Sequence, residues 1–153
     1  MSLPTTGAVR RRRLFHASAL AAGLLAFAPA ALATDLAVTI SGVRSNQGDV
    51  YAAVFAKSDK FPEAEAALKY VKVKASTAPI EVRFDDLPPG VYAVGAYHDE
   101  NANGTLDTDL FGYPTEGYAL SRGIRVVNER PHFEQAAFRI DGASAHAELN
   151  IRY

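Results

Sequence analysis

Residues 86–107 read Asp-Leu-Pro-Pro-Gly-Val-Tyr-Ala-Val-Gly-Ala-Tyr-His-Asp-Glu-Asn-Ala-Asn-Gly-Thr-Leu-Asp, and their reading decides the fold. Pro88 and Pro89 cannot donate to a strand ladder and Gly90 permits positive φ, so the chain turns there. Val91 to His98 is apolar at odd and even positions alike, the pattern of a strand interior to a sheet. It delivers the chain directly into Asp99-x-Asn101-x-Asn103-Gly104-x-x-Asp107, a polar loop. A strand of this kind needs neighbours, and the flanking sequence supplies them.

Leu36, Val38 and Ile40 alternate with Ala37, Thr39 and Ser41, as in a half-buried strand. A turn at Ser45–Gly48 leads to Asp49–Ala56, apolar on both faces and read as a central strand, so the two segments are expected to form a hairpin. Residues 58–67 carry Pro62 and an Ala/Glu run, which predicts one or two helical turns on a strand connection. Tyr70–Ala75 and Ile80–Phe84 alternate again. Beyond residue 118, Ile124–Val127 is a short strand candidate, Pro131–Ala136 one helical turn, and Ala137–Ile140 a short strand. Ala145, Ala147, Leu149 and Ile151 close the chain in clean alternation. Seven or eight short strands without a βαβ rhythm predict an all-β fold: one antiparallel sandwich, prealbumin- or immunoglobulin-like, with a long loop over 99–120.

The chain has 153 residues, and the first 33 read as an export signal: Arg10–Arg13, the apolar run Leu14–Leu25, and the small-x-small site Ala31-Leu32-Ala33. Arg11-Arg12-Arg13-Leu14-Phe15 also resembles a twin-arginine export signal. The apolar run is shorter than the ~20 residues of a membrane span. Cleavage leaves a single domain, 34–153, and lowers the formal charge from −1 to −5 by removing four arginines. A mildly acidic domain of this kind is not expected to bind nucleic acid or anionic membrane surfaces. The chain has no cysteine, which excludes disulfides, thiolate chemistry and zinc–thiolate sites. Periplasmic or secreted location in a bacterium, with no membrane span in the mature chain, is the expectation.

The loop offers oxygen-bearing side chains at alternate positions, as calcium sites do. Asp99, Asn101, Asn103, Thr105 (through its carbonyl), Asp107 and Asp109 are the candidate ligands. The twelfth position, where a bidentate Glu belongs, is Leu110; Asp109 or Glu116 would have to substitute. The alternative is a self-braced loop in which Asn and Asp side chains bond nearby backbone amides. Phe111, Tyr113, Glu116 and Tyr118 form a candidate binding surface; alternatively the aromatics pack the loop onto the sandwich. His98, His132 and His146 lack metal-ligand spacing. His98 with Asp99 or Glu116 is the pair a hydrolase would use, against a satisfied structural role. Ser121 lacks a nucleophile-elbow context.

The turn and strand Asp86–Val94, the segments Tyr97–Asp107 and Phe111–Tyr118, and Pro131-x-Phe133-Glu134 together resemble the secreted bacterial family catalogued as domain of unknown function 2141. The likeness covers nearly all of the mature chain. It departs at Ala119-Leu-Ser-Arg122, where such families continue with Gly-Phe-Ser-Asn-like residues. The resemblance implies export and the fold, and no catalytic residues. The strand-to-loop piece is also similar to prealbumin-like repeat modules of bacterial adhesins, some of which bind calcium. A prealbumin-like hydrolase of purine breakdown ends in Tyr-Arg-Gly-Ser, whereas this chain ends Asn150-Ile-Arg-Tyr153. The expected function is an exported non-enzymatic module that contacts a cell-envelope protein or glycan.

Overall fold

A computed structural model describes residues 33–125, 129–142 and 144–153. The expected export signal therefore lies outside the described residues, apart from Ala33. The strands are β1 (Thr34–Ser41), β2 (Asp49–Phe55), β3 (Ala67–Lys74), β4 (Ile80–Leu87), β5 (Gly90–Asp99), β6 (Gly117–Leu120), β7 (Phe138–Ile140) and β8 (Ser144–Asn150). They form two sheets, β4-β1-β8 and β3-β2-β5-β6, with β7 pairing the beginning of β5. The protein is an all-β sandwich. Among the described residues no helix is long and apolar enough to cross a membrane.

The core lies between the sheets because alternate side chains point inward. Leu36, Val38 and Ile40 of β1, Val82 and Phe84 of β4 and Leu149 of β8 face Val50, Ala52, Val54, Val94 and Ala96 of the larger sheet. Burying each aliphatic side chain of this kind stabilises by about 1.5–3 kcal/mol. A second, smaller cluster sits on the outside of the larger sheet, where Phe61, Phe133 and Ala136 cover Phe55, Ala93 and Leu120.

Several expectations are corrected. First, β1 and β2 do not form a hairpin, because they belong to different sheets. Val43 is buried in the core and Gly42 has φ +80°, so the connection folds over the end of the sandwich and Ser45–Gly48 is only part of it. Second, pairing is antiparallel throughout except between β1 and β8, which run parallel. Third, the long loop ends at residue 116, for Gly117–Leu120 is a strand paired with Gly95–His98. Four residues are too few to show a period. Ile124 and Arg125 are not in a strand, and Val126–Val127 lie outside the described residues. The helical stretch over 58–67 contracts to a single 3-10 turn at Ala64–Ala66. The turn at 131–136 is the helix α1, Phe133–Ala136.

The far edge of β5 is shared: β7 occupies residues 90–92 and β6 residues 95–98. Val94 falls in the gap, and the buried Ser121 fills it. Its Oγ accepts the Val94 N–H at 3.0 Å and donates to the Ala136 carbonyl at 2.6 Å. Ser121 is thus a structural bridge, in line with its lack of nucleophile context.

Candidate functional site

The loop that leaves β5 is held by its own carboxylates. Asp99 is fully buried; one oxygen accepts the Asn103 N–H at 3.0 Å and the other the Gly104 N–H at 2.8 Å. Gly104 has φ +85°, a conformation that suits glycine. Asn101 Oδ1 accepts the Asn103 N–H, and Asn103 Oδ1 accepts both the N–H and the hydroxyl of Thr105. Both amide nitrogens then point to Asp107, at 2.6 Å from Asn101 and 2.8 Å from Asn103. Glu116, also buried, accepts the Glu100 N–H at 2.8 Å and the Asp107 N–H at 3.1 Å. Glu116 therefore joins the two ends of the loop from inside and is no part of an exposed binding surface.

Of the candidate ligands, Asp99, Asn101, Asn103, Thr105 and Asp107 converge, whereas Asp109 organises a separate turn. Asp109 Oδ1 accepts the N–H groups of Phe111 and Tyr113, both at 2.9 Å. Among the described residues no group of three or more His, Cys, Asp or Glu is placed to hold a metal ion. The donor set fits a cation only after a change. Backbone N–H groups fix the Asn101 and Asn103 oxygens, so their NH₂ groups face Asp107. A cation beside Asp107 requires both amides to turn over.

His98 is fully buried with both nitrogens engaged. Nε2 lies 2.7 Å from the Gln47 carbonyl, which can only accept, so Nε2 carries the proton. Nδ1 then accepts the Tyr153 hydroxyl at 2.6 Å, and that hydroxyl oxygen accepts the Arg44 N–H at 3.1 Å. The Arg44 guanidinium lies 4.0 Å from the centre of the Tyr153 ring and pairs with Glu100. Its hydrogen bond holds the Glu100 carboxyl below the usual range, while burial raises the Tyr153 phenol. A Cβ on Gly117 would meet this ring at 2.4 Å, so glycine is required there. With no free nitrogen and no solvent access, His98 is not placed to act as a general base. Asp99 and Glu116, its expected partners, are engaged with backbone amides. His146, on β8, bonds Thr39 on the outer face of the smaller sheet.

The feature missed by sequence reasoning lies on the outer face of the larger sheet. Cross-strand register sets Lys72, Tyr51, Tyr97 and Tyr118 in one row, with Arg152 bridging Tyr118 at its end. The Tyr51 and Tyr97 rings stack at 5.0 Å, and the Tyr97 hydroxyl donates to the Gly104 carbonyl at 3.1 Å, tying the row to the loop. The next row is Tyr70, Ala53, Gly95 and Leu120. Its small side chains form the floor of a trough of about 980 Å³. The tyrosine row and residues 104–114 make one wall; Phe55, Pro62–Glu65 and Glu129–Pro131 make the other. Phe111 is 84% exposed and Tyr113 44%, so these two rings do not pack the loop down, whereas Tyr118 is half-buried. Phe111, Tyr113 and Tyr118 all line the trough. The outward side of β2 and β5 is thus buried at both ends, at Phe55 and Ala93 and again at Asp49 and Asp99, and is less covered between them at Tyr51, Ala53 and Tyr97. The signal was available in Tyr51/Ala53/Phe55 and Gly95/Tyr97, which share faces at period two.

Fold and site together define a small β-sandwich with a braced acidic loop standing beside an open aromatic trough. A family of uncharacterised proteins conserved in bacteria, domain of unknown function 2141, matches residues 38–148, and the chain belongs to it. No curated protein and no solved structure matches the chain, so the local likeness to adhesin modules gains no support.

Proposed function

We propose that the protein is an exported, non-enzymatic binding module of the bacterial periplasm or cell exterior, and that the trough receives a cell-envelope partner. The observation that carries this reading is the trough itself. A concave, largely apolar surface of this volume with a few polar groups at its margin is the usual form of a ligand site. The carboxylate-braced loop supplies one wall in a fixed position, which lowers the ordering cost of binding. The occupied nitrogens of His98 favour binding over hydrolysis. The test is co-sedimentation with a washed envelope fraction from a bacterium that carries the gene. Ala53→Phe, which fills the floor, is expected to abolish sedimentation while keeping the melting temperature within about 3 °C. Equal sedimentation of both proteins sinks the reading.

Calcium is proposed as a reinforcement of the loop at Asp99, Asp107 and the neighbouring carbonyls, with Asn101 and Asn103 turned to present oxygen. With only two carboxylates in the converging set, affinity belongs in the range of about 10⁻⁴–10⁻³ M known for extracellular modules. Calcium at millimolar concentration should then raise the melting temperature, and Asp99→Ala should remove the increment. Superimposable melting curves in calcium and in chelator end this part of the proposal.

A further inference from the structure

Resting on the trough as the binding site, we infer that its ligand is an extended, basic polypeptide segment with apolar side chains. Charge is the first argument. The lining carries Glu63, Glu65, Glu129 and Arg130. Arg130 is fully engaged: Nε donates to the Phe61 carbonyl at 2.7 Å, NH1 to Glu63 at 2.7 Å, and NH2 to the Lys60 carbonyl. Lys72 and Arg152, at the ends of the tyrosine row, do not line the trough, and Lys72 is paired with Asp49 at 2.9 Å. Glu65 and Glu129 are both exposed and neither enters an ion pair among the described residues. Three carboxylates against one guanidinium leave the margin net negative, and the surrounding rings of Tyr51, Tyr70, Tyr113 and Phe111 favour cations further.

Shape is the second argument. The floor row runs across the strands, and the two wall rows, Tyr51 and Phe55, stand four residues apart along β2. That is about 13 Å between backbones, less the thickness of the wall side chains, too narrow for a helix of about 10–12 Å diameter. Four strands spaced about 4.8 Å apart accept roughly five residues of extended chain. The open part of the floor, around Ala53, is apolar and carries no side-chain polar group of its own, which suits aliphatic or aromatic side chains better than a sugar ring dense in hydroxyls.

The experiment measures binding by calorimetry of three blocked hexapeptides, alternating Lys-Leu, Ser-Leu and Glu-Leu, with chitohexaose as a neutral glycan. Lys-Leu is expected to bind at least about tenfold tighter than Ser-Leu at low salt, with the advantage shrinking as salt rises, and Glu-Leu not to bind. The surface pair Glu65→Lys with Glu129→Lys should invert that order without shifting the melting temperature, and Ala53→Phe should abolish all binding. Equal affinity of the three peptides, or chitohexaose binding in their place, overturns the ligand class while leaving the trough as the site. Lys-Leu binding unchanged in Ala53→Phe overturns the trough reading itself.

Discussion

The two sheets turn very different outer faces to the solvent. On the smaller sheet, Ala37, Thr39, Glu81, Arg83, His146 and Glu148 fall on the outward side, a short-range mixture of charges and small groups. On the larger sheet the same positions are Tyr51, Ala53, Gly95, Tyr97, Tyr118 and Leu120. Both faces obey the same inward alternation, so core formation does not explain the contrast. An apolar outer face raises the free energy of the isolated protein unless something covers it. Here Phe61 and α1 cover one end, residues 104–114 border the other, and the strip between is left open. The smaller sheet is finished by water; the larger one keeps an apolar strip that is only partly covered.

The strongest way to break this contrast is to remove what holds the loop upright. Asp99→Ala leaves the Asn103 and Gly104 N–H groups without their acceptor and should cost about 3 kcal/mol, read by chemical denaturation. A loss below about 1 kcal/mol would mean that the loop stands without its carboxylate. Tyr97→Phe severs the tie to the Gly104 carbonyl while keeping the ring stack, and about 1 kcal/mol is expected. The same residue marks the face by its ionisation. Burial, and then the neighbouring Tyr51, push the Tyr97 phenol up to about 12. Because its folded pKa lies above the ordinary phenol value of 10.0, the neutral phenol's contribution is complete below pH 10 and is lost as pH rises towards 12. Stability should therefore decline across that window in the wild type and decline less in Tyr97→Phe, as followed by denaturant midpoints. The smallest effect belongs to the opposite face. Thr39→Ala, which loses only an exposed bond to His146, should change stability by less than about 0.5 kcal/mol.

The sandwich was legible because its inward residues alternate so regularly; Leu36, Val38 and Ile40 announce β1 without ambiguity. The route between sheets was not legible, since alternation says which side a residue faces and nothing about which sheet holds it. Hence β1 and β2 read as a hairpin. The braced loop was visible as one of two alternatives, because Asn and Asp side chains suit cations and backbone amides equally well. Glu116 escaped for a different reason: its role as a buried clasp depends on Asp107 and Glu100 meeting in space. The trough was hidden by composition. Alanine, glycine and tyrosine fit a covered strand and an open binding floor alike, and only the placement of Phe61 and the loop separates the two.

The parallel pairing of β1 with β8 has a consequence for how the protein comes into being. Leu36 lies opposite Ala145, so the smaller sheet cannot acquire its third strand until residues 144–150 have arrived. Pairings of such sequence separation are slow to form, because the intervening chain must first surrender its freedom. Until then β1 offers a bare hydrogen-bonding edge to whatever is nearby. Until the chain has reached residue 144, that edge of β1 therefore lacks the strand that pairs with it in the finished sheet.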